Sequence, residues 1–224
     1  PTDEGHGFAV NYMQSSGGGD LRLVGHFVTT AGAWQVSQGQ NQVSSSVGAT
    51  DGIDAQTSSA TLSDGNMVYV ANSSSVSGDT IVFRIVENDG FPEGPATTVP
   101  GTANNGLIEE QADVAALANG GFVVTWRSID EDGVSKVRFQ LMDNEGEAVG
   151  DQGMIEGVPD YYDMREPTIA ALPDGGFIIV QIDETAGSPS AIFAHTFDED
   201  GISTGTQKQV HYLKHYPTQA MFFP

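Results

Sequence analysis

The segment "LANGGF" at residues 117–122 is the clearest copy of a pattern that occurs four times in this chain of 224 residues. The other copies are "EGHGF" ending at Phe8, "LSDGNM" ending at Met67 and "LPDGGF" ending at Phe177. The last residues of successive copies are 59, 55 and 55 positions apart. The 47 residues after Phe177 and the 8 residues up to Phe8 add to a further 55, so the period closes on itself. A period of this length that tiles the chain predicts a ring of four structural units.

The third unit shows the strands of one repeat most plainly. It reads as "ADVAAL" (112–117), "FVVTW" (122–126), "KVRFQLM" (136–142) and a weaker "DQGMIEG" (151–157), separated by turns rich in glycine and acid. A second set of turns, beginning at residues 29, 87, 143 and 198, repeats at spacings of 58, 56 and 55. Four strands joined by hairpins make one propeller blade. We therefore predict an all-β fold, a four-bladed β-propeller, that forms a single domain over residues 1–224.

Closure of the ring requires both ends of the chain. The predicted units are residues 1–55 together with 217–224, then 56–110, 111–165 and 166–216. The segment "PTQAMFF" (217–223) reads as an innermost strand that pairs with "GFAVNYM" (7–13), because an open ring would leave sheet edges exposed. The alternative is four consecutive blades taken from a larger propeller or array.

The composition narrows the classes of partner. Thirty acidic and eight basic residues give a net charge of −22, which disfavours nucleic acid because phosphate binding needs a basic surface. No run of 18 apolar residues is present, so we expect no membrane span. The chain has no cysteine, which excludes thiol catalysis and zinc sites with cysteine ligands.

The segments "ALANGGFVVTW", "ALPDGGFIIV" and "HTFDEDGISTG" resemble the tandem repeats of large secreted or surface proteins of Gram-negative bacteria, including those of the RTX class. The resemblance covers residues 112–210 most clearly. It implies an extracellular or cell-surface location, an adhesive or structural role, and a place within a larger polypeptide or assembly. The calcium-binding nonapeptide of RTX proteins is absent, so calcium as a ligand is implied by kinship and by acidic charge alone.

Four aspartates in two turns are the candidate calcium ligands, because carboxylate oxygens suit this cation. Each turn contains an Asp-Gly pair, which is also the natural chemistry of a tight hairpin. Turn formation is therefore the alternative role for all four residues. They are Asp130, Asp132, Asp198 and Asp200.

Two connections concentrate aromatic and ionisable side chains, "PDYYDMRE" (159–166) and "HYLKHY" (211–216). In a propeller such connections share one face, and tyrosines beside carboxylates and an arginine suit a glycan or protein ligand. The alternative is that the tyrosines cover the core and the charges are solvated. The candidate binding residues are Asp160, Tyr161, Tyr162, Asp163, Arg165, His211, His215 and Tyr216.

Two further positions recur at the repeat spacing. A polar residue starts each innermost strand, and such a ring can hold water or an ion in a central channel; its members are Ser58, Asp113, Thr168 and Thr218. In the third strands, a polar position is expected to face outward as a surface stripe; its members are His26, Arg84, Gln140 and His195.

Known enzyme signatures are absent from the sequence: it has no G-x-S-x-G elbow, no HExxH and no phosphate-binding glycine loop. The sequence therefore favours a binding or structural module, with adhesion as its role, over an enzyme. Two alternatives stay open, a lectin-like carbohydrate-binding propeller and a polysaccharide hydrolase or lyase.

Overall fold

The computed structural model is built from β-strands. It describes residues 8–15, 21–28, 34–35, 57–75, 78–87, 93–155, 163–184, 190–205 and 208–212, and these ranges contain no helix. No segment of them could therefore cross a membrane as a helix. The strands are β1 (Phe8–Ser15), β2 (Leu21–Val28), β3 (Trp34–Gln35), β4 (Thr57–Thr61), β5 (Met67–Ser75), β6 (Gly78–Val86), β7 (Thr97–Thr98), β8 (Ile108–Ala116), β9 (Phe122–Ile129), β10 (Ser135–Met142), β11 (Ala148–Met154), β12 (Asp163–Ala171), β13 (Phe177–Glu184), β14 (Ala191–Phe197) and β15 (Lys208–Tyr212).

The strands form four antiparallel sheets in chain order. The first sheet is β1-β2-β3, and the second, third and fourth sheets each have four strands, β4 to β7, β8 to β11 and β12 to β15. The prediction of an all-β fold is therefore confirmed. The predicted closing strand at 217–223 lies outside the described residues.

The three described copies of the repeated motif form the same hairpin turn. In each copy the N–H of a leucine donates to the carbonyl four residues on, at 2.8 Å, for Leu62, Leu117 and Leu172. The glycine that ends the turn has a positive φ, between 90° and 105°, at Gly65, Gly120 and Gly175. Because this backbone region favours glycine, the first glycine of the motif sets the turn.

The second glycine of the motif is required for a different reason. A Cβ at Gly121 would lie 2.2 Å from the carbonyl oxygen of Met142, and one at Gly176 would lie 2.2 Å from that of Phe197. In both sheets the end of the third strand thus lies directly beside the start of the second. The second sheet has Asn66 at this position.

The third sheet is covered on both faces, which explains why "FVVTW" shows no alternation of apolar and polar residues. Phe122, Val124 and Trp126 belong to a core shared with the second sheet. Val123, between them, belongs to a core shared with the fourth sheet. Strands buried on both faces read as continuous apolar runs, and all five residues of this segment are fully buried.

Three phenylalanines organise the core between the third and fourth sheets. The Phe139 ring lies 5.3 Å from that of Phe177 and 4.8 Å from that of Phe197. Phe177 and Phe197 are stacked at 5.0 Å. These separations are typical of favourable aromatic pairs.

The predicted outward stripe in the third strands is wrong for Gln140 and His195. Gln140 is 2% exposed and His195 is 8% exposed. The reason is that this repeat position lies on the face that packs against the preceding sheet: Gln140 is paired with Val124 and His195 with Ile179, and both partners are core residues. Arg84 is half-buried, and the side chain of His26 lies outside the described part of the structure.

Replacement of the second glycine tests the close approach of the strands. We expect Gly176→Ala to lower the free energy of unfolding by about 1–3 kcal/mol, because a backbone carbonyl must move to admit the methyl group. Urea unfolding at neutral pH measures the loss. Gly133→Asn is the control, since Gly133 has a positive φ of 80° and no neighbour within 4 Å, and asparagine tolerates that backbone region. Equal losses in both variants would contradict the packing argument.

Candidate ligand-binding site

The first strands of three sheets, β4, β8 and β12, meet at the carboxylate of Asp113. Ser58 Oγ donates to Asp113 Oδ1 at 2.5 Å, and Thr168 Oγ1 donates to Oδ2 at 2.7 Å. The N–H of Ile169 donates to the same Oδ2 at 2.9 Å. Three of the four residues of the predicted channel ring are thus brought together, while Thr218 lies outside the described residues. Protein donors thus contact both oxygens of Asp113.

Two β-bulges lie next to this junction at the same point of the repeat. Residues Gln111 and Glu166, which are 55 positions apart, have positive φ values of 56° and 48°. The register of β8 shifts between Glu110 and Asp113, and that of β12 shifts between Arg165 and Thr168. Gln111 Oε1 also accepts a hydrogen bond from the N–H of Glu166 at 2.8 Å. Bulges re-aim side chains, and here they change the faces of Glu110 and Arg165.

Five charged residues form a chain of ion pairs at this end of the third and fourth sheets, here named the charged cluster. Arg127 Nη1 lies 2.5 Å from Glu110 Oε1, and Arg127 Nη2 lies 2.5 Å from Asp163 Oδ1. Arg165 lies 2.5 Å from Asp163 Oδ2 and 3.1 Å from Glu184 Oε2. Arg127 therefore ties the two sheets together, since Glu110 is in β8 and Asp163 is in β12.

The charged cluster has a buried half and an exposed half. The side chain of Arg127 is 12% exposed, whereas those of Arg165 and Glu184 are 45% and 44% exposed. Burial raises the pKa of Asp163, but hydrogen bonds from Arg165 and Ser135 and the charge of Arg127 outweigh it and hold that pKa below its usual value. Asp163 is therefore ionised at neutral pH, and Arg165 and Glu184 present their charged groups to solvent.

The predicted binding residues fall mostly outside the described residues, namely Asp160, Tyr161, Tyr162, His215 and Tyr216. Asp163 and Arg165 are brought together in β12. His211 lies in β15, opposite Ile192 in the register.

Three members of the charged cluster were missed by the sequence analysis, namely Glu110, Arg127 and Glu184. A signal was present for Glu110, which precedes Arg165 by one repeat of 55 residues. Arg127 carried no such signal, because its partner Asp163 is 36 residues away.

The aspartate turns proposed for calcium have their own hydrogen bonding. Asp130 Oδ1 accepts the N–H groups of Asp132 and Val134, and Asp198 Oδ1 accepts those of Asp200 and Ile202, at 2.8–3.1 Å. The alternative role in turn formation thus applies to Asp130 and Asp198. Within the described ranges no group of three acidic or histidine side chains is placed to hold a metal. Calcium binding stays a prediction.

A cleft of about 440 Å³ lies at the opposite end of the strands, between the hairpin turns. Its lining combines the apolar side chains of Leu117, Leu141 and Val149 with the carboxylates of Asp143, Glu145 and Glu199. The lining contains no arginine or lysine. The two ends of the sheets therefore differ in the charges that they offer a ligand.

Comparison with known proteins shows a shared fold but does not show a family. No family model and no curated protein matches this sequence. An endo-arabinase structure from Bacteroides thetaiotaomicron matches 90% of this chain and 80% of its own, at 10% identity and a TM-score of 0.51. A protein of unknown function from Dyadobacter fermentans matches 92% of this chain and 62% of its own, at 11% identity and a TM-score of 0.57. At these identities the likeness shows a shared fold.

Removal of the bridging guanidinium tests the charged cluster. We expect Arg127→Gln to lower the free energy of unfolding by about 2 kcal/mol at pH 7, because Glu110 and Asp163 lose a common partner in a partly buried position. The loss should shrink towards pH 3, because the depressed pKa of Asp163 stabilises the fold only while the carboxyl is ionised. Urea unfolding at both pH values measures it.

Arg165→Gln is the matched control for this experiment. Its side chain is more exposed, so the expected loss is under about 1 kcal/mol. A loss in Arg127→Gln that is the same at pH 7 and pH 3 would show that packing rather than charge pairing holds this residue.

Proposed function

We propose that the four sheets are the blades of a four-bladed β-propeller. The sheets follow one another in chain order, and β8 contacts both β4 and β12. Hydrogen bonds between these inner strands join residues 55 positions apart, which equals the period of the sequence. In this proposal residues 217–224 supply the inner strand of the first blade and close the ring.

The function proposed for this propeller is the binding of a carbohydrate at the charged cluster. The observation that carries the proposal is the half-exposed pair of Arg165 and Glu184, because Arg165 comes two residues after the segment "PDYYD" (159–163) in the sequence. A guanidinium and carboxylates can hydrogen-bond neighbouring sugar hydroxyls, and tyrosine rings offer apolar faces with a polar tip. The shared fold with an endo-arabinase structure supports carbohydrate as the ligand class. An extracellular or cell-surface location, as the sequence resemblance implies, belongs to the same proposal.

Hydrolysis of a polysaccharide is a second candidate, favoured by two carboxylates on one guanidinium. Glu110 and Asp163 both contact Arg127, so their carboxylates are neighbours, and glycosidases use two carboxyl groups about 5–9.5 Å apart. The depressed pKa of Asp163 suits a base or nucleophile. A general acid needs a raised pKa, and Asp183 has one but is only 2% exposed. Binding therefore ranks ahead of hydrolysis.

Substitution of the two adjacent tyrosines tests the binding proposal. We expect Tyr161→Ala together with Tyr162→Ala to weaken glycan binding by at least ~2 kcal/mol, because aromatic anchors usually dominate binding energy. A glycan array identifies the ligand, and calorimetry with that glycan measures the loss. The same glycans, incubated with the protein and assayed for new reducing ends, test hydrolysis.

Glu145→Ala is the control for position on the molecule. Glu145 follows β10 at one end, whereas Ser135 at the other end of β10 donates to Asp163 at 3.0 Å. The two sites are therefore about 25 Å apart. Glu145 lines the opposite cleft, so loss of binding in Glu145→Ala alone would move the site to that cleft. No ligand on the array would favour a purely structural role.

A further inference from the structure

The core between the third and fourth sheets changes from apolar to polar along β13. Alternate residues of this strand face the third sheet and are all buried: Phe177, Ile179, Gln181 and Asp183. Phe177 packs against Phe139, while Asp183 lies next to the charged cluster, paired with Met164 in the register. The polar half of the core is therefore continuous with the proposed binding end.

Asp183 is buried without a hydrogen bond. The residue is 2% exposed, and neither carboxylate oxygen has a partner. Gln181, on the same face of the strand, is 1% exposed, and its amide oxygen and nitrogen also lack partners. Buried polar groups are nearly always hydrogen-bonded, so two adjacent exceptions require an explanation.

Ion pairing does not supply the missing partner. The charged cluster contains three carboxylates, Glu110, Asp163 and Glu184, and two guanidinium groups, Arg127 and Arg165. Both arginines already contact these carboxylates, so the cluster has a net charge of −1 before Asp183 is counted. An ionised Asp183 would add a second negative charge in a buried position, which is costly without a partner.

A proton fits the site better than a metal ion does. Calcium takes six to eight oxygen ligands, whereas only Asp183 and Gln181 offer unpartnered oxygens on this face of β13. A neutral carboxyl group has one O–H donor. Gln181, two residues away on the same face of the strand, carries an amide oxygen that is also without a partner and is an acceptor of the kind that this O–H needs.

We propose that Asp183 is an internal proton-binding site whose neutral form holds the third and fourth sheets together, so that this interface loosens as the carboxyl ionises. The charged group that acts on it is Asp163 from β12, which Arg127 from β9 contacts in turn. Gln181 shares its face of β13, Ala191 lies opposite it on β14, and His195 lies further along that strand, opposite Ile179. The inference does not depend on the nature of the ligand bound at the charged cluster.

The electrostatics of the site agree with this assignment. Burial raises the pKa of Asp183 to about 6, and the charge of Asp163 adds to the effect. The folded chain therefore binds this proton more tightly than the unfolded chain, in which the pKa is 3.8. The stabilising contribution of the neutral form is complete below pH 3.8 and is lost as the pH rises through 6.

His195 has the opposite effect on stability. Burial lowers the pKa of His195 to about 4, so the folded chain binds this proton less tightly than the unfolded chain does. Its contribution is complete above pH 6.5 and is lost as the pH falls through 4. Between pH 4 and pH 6.5 the effects of Asp183 and His195 on the free energy of unfolding offset each other. Variants that change one of these residues at a time are therefore needed to measure each effect.

The test compares wild-type protein with Asp183→Asn, which mimics the neutral carboxyl at all pH values. From pH 4 to pH 7 we expect the folding equilibrium constant of Asp183→Asn to rise about a hundredfold relative to wild type. Urea unfolding at half-unit steps measures it. Asp200→Asn, at an exposed turn position, is the matched control and should show no such change.

Carbon-13 NMR of the aspartate carboxyl groups in the wild-type protein gives a readout that does not depend on any variant being folded. We expect one aspartate signal, assigned to Asp183, to titrate with a midpoint above pH 5. The proposal is overturned if the Asp183 signal titrates below pH 4.5, or if the stability difference between wild type and Asp183→Asn is constant from pH 4 to pH 7. Neither readout involves glycan binding, so failure here leaves the proposed function standing.

Discussion

The carboxylate of Asp113 is the interaction on which the arrangement of the sheets depends. It accepts hydrogen bonds from Ser58 of the second sheet and from Thr168 and Ile169 of the fourth. Because this carboxylate joins β4, β8 and β12, it fixes both the separation and the register of these three strands. The bulges at Gln111 and Glu166 lie two residues before the junction, and so the ends of β8 and β12 leave it at set directions. The charged cluster is built on those two ends.

The strands and turns were predictable because their chemistry is local. Gly120, which has a positive φ, and Gly121, which admits a neighbouring carbonyl, locate the hairpin of the third unit. Repetition at 55 residues then places the same hairpin elsewhere, at Gly175 and Gly176. Local chemistry of this kind requires no knowledge of how the sheets pack. The predicted second and third strands of the third unit therefore match β9 and β10 closely, whereas β8 and β11 begin four and three residues before their predicted starts.

The charged cluster was only half predictable because it depends on contacts between sheets. Asp163 and Arg165 stood out within one segment, but Arg127 reaches Asp163 across 36 residues. The bulge at Gln111 also changes the face on which Glu110 lies, and nothing in the local sequence marks it. His195 lies in a different environment from the one predicted for a related reason. Alternation along a strand separates its two faces, but it does not reveal which face packs against the neighbouring sheet.

Besides the junction at Asp113, the acidic residues of this chain serve three physical roles that a net charge of −22 conceals. Asp143 and Asp198 accept N–H groups of their own turns, so their charges stabilise hairpins. Asp163 is paired with two arginines, whereas Asp183 is buried without a partner. The first role closes the turn end of the sheets with local hydrogen bonds. The other two lie at the opposite end, where polar groups remain unsatisfied inside the fold. Departures from local consistency tend to mark functional sites, and this contrast is the physical reason to look for a ligand at the charged cluster.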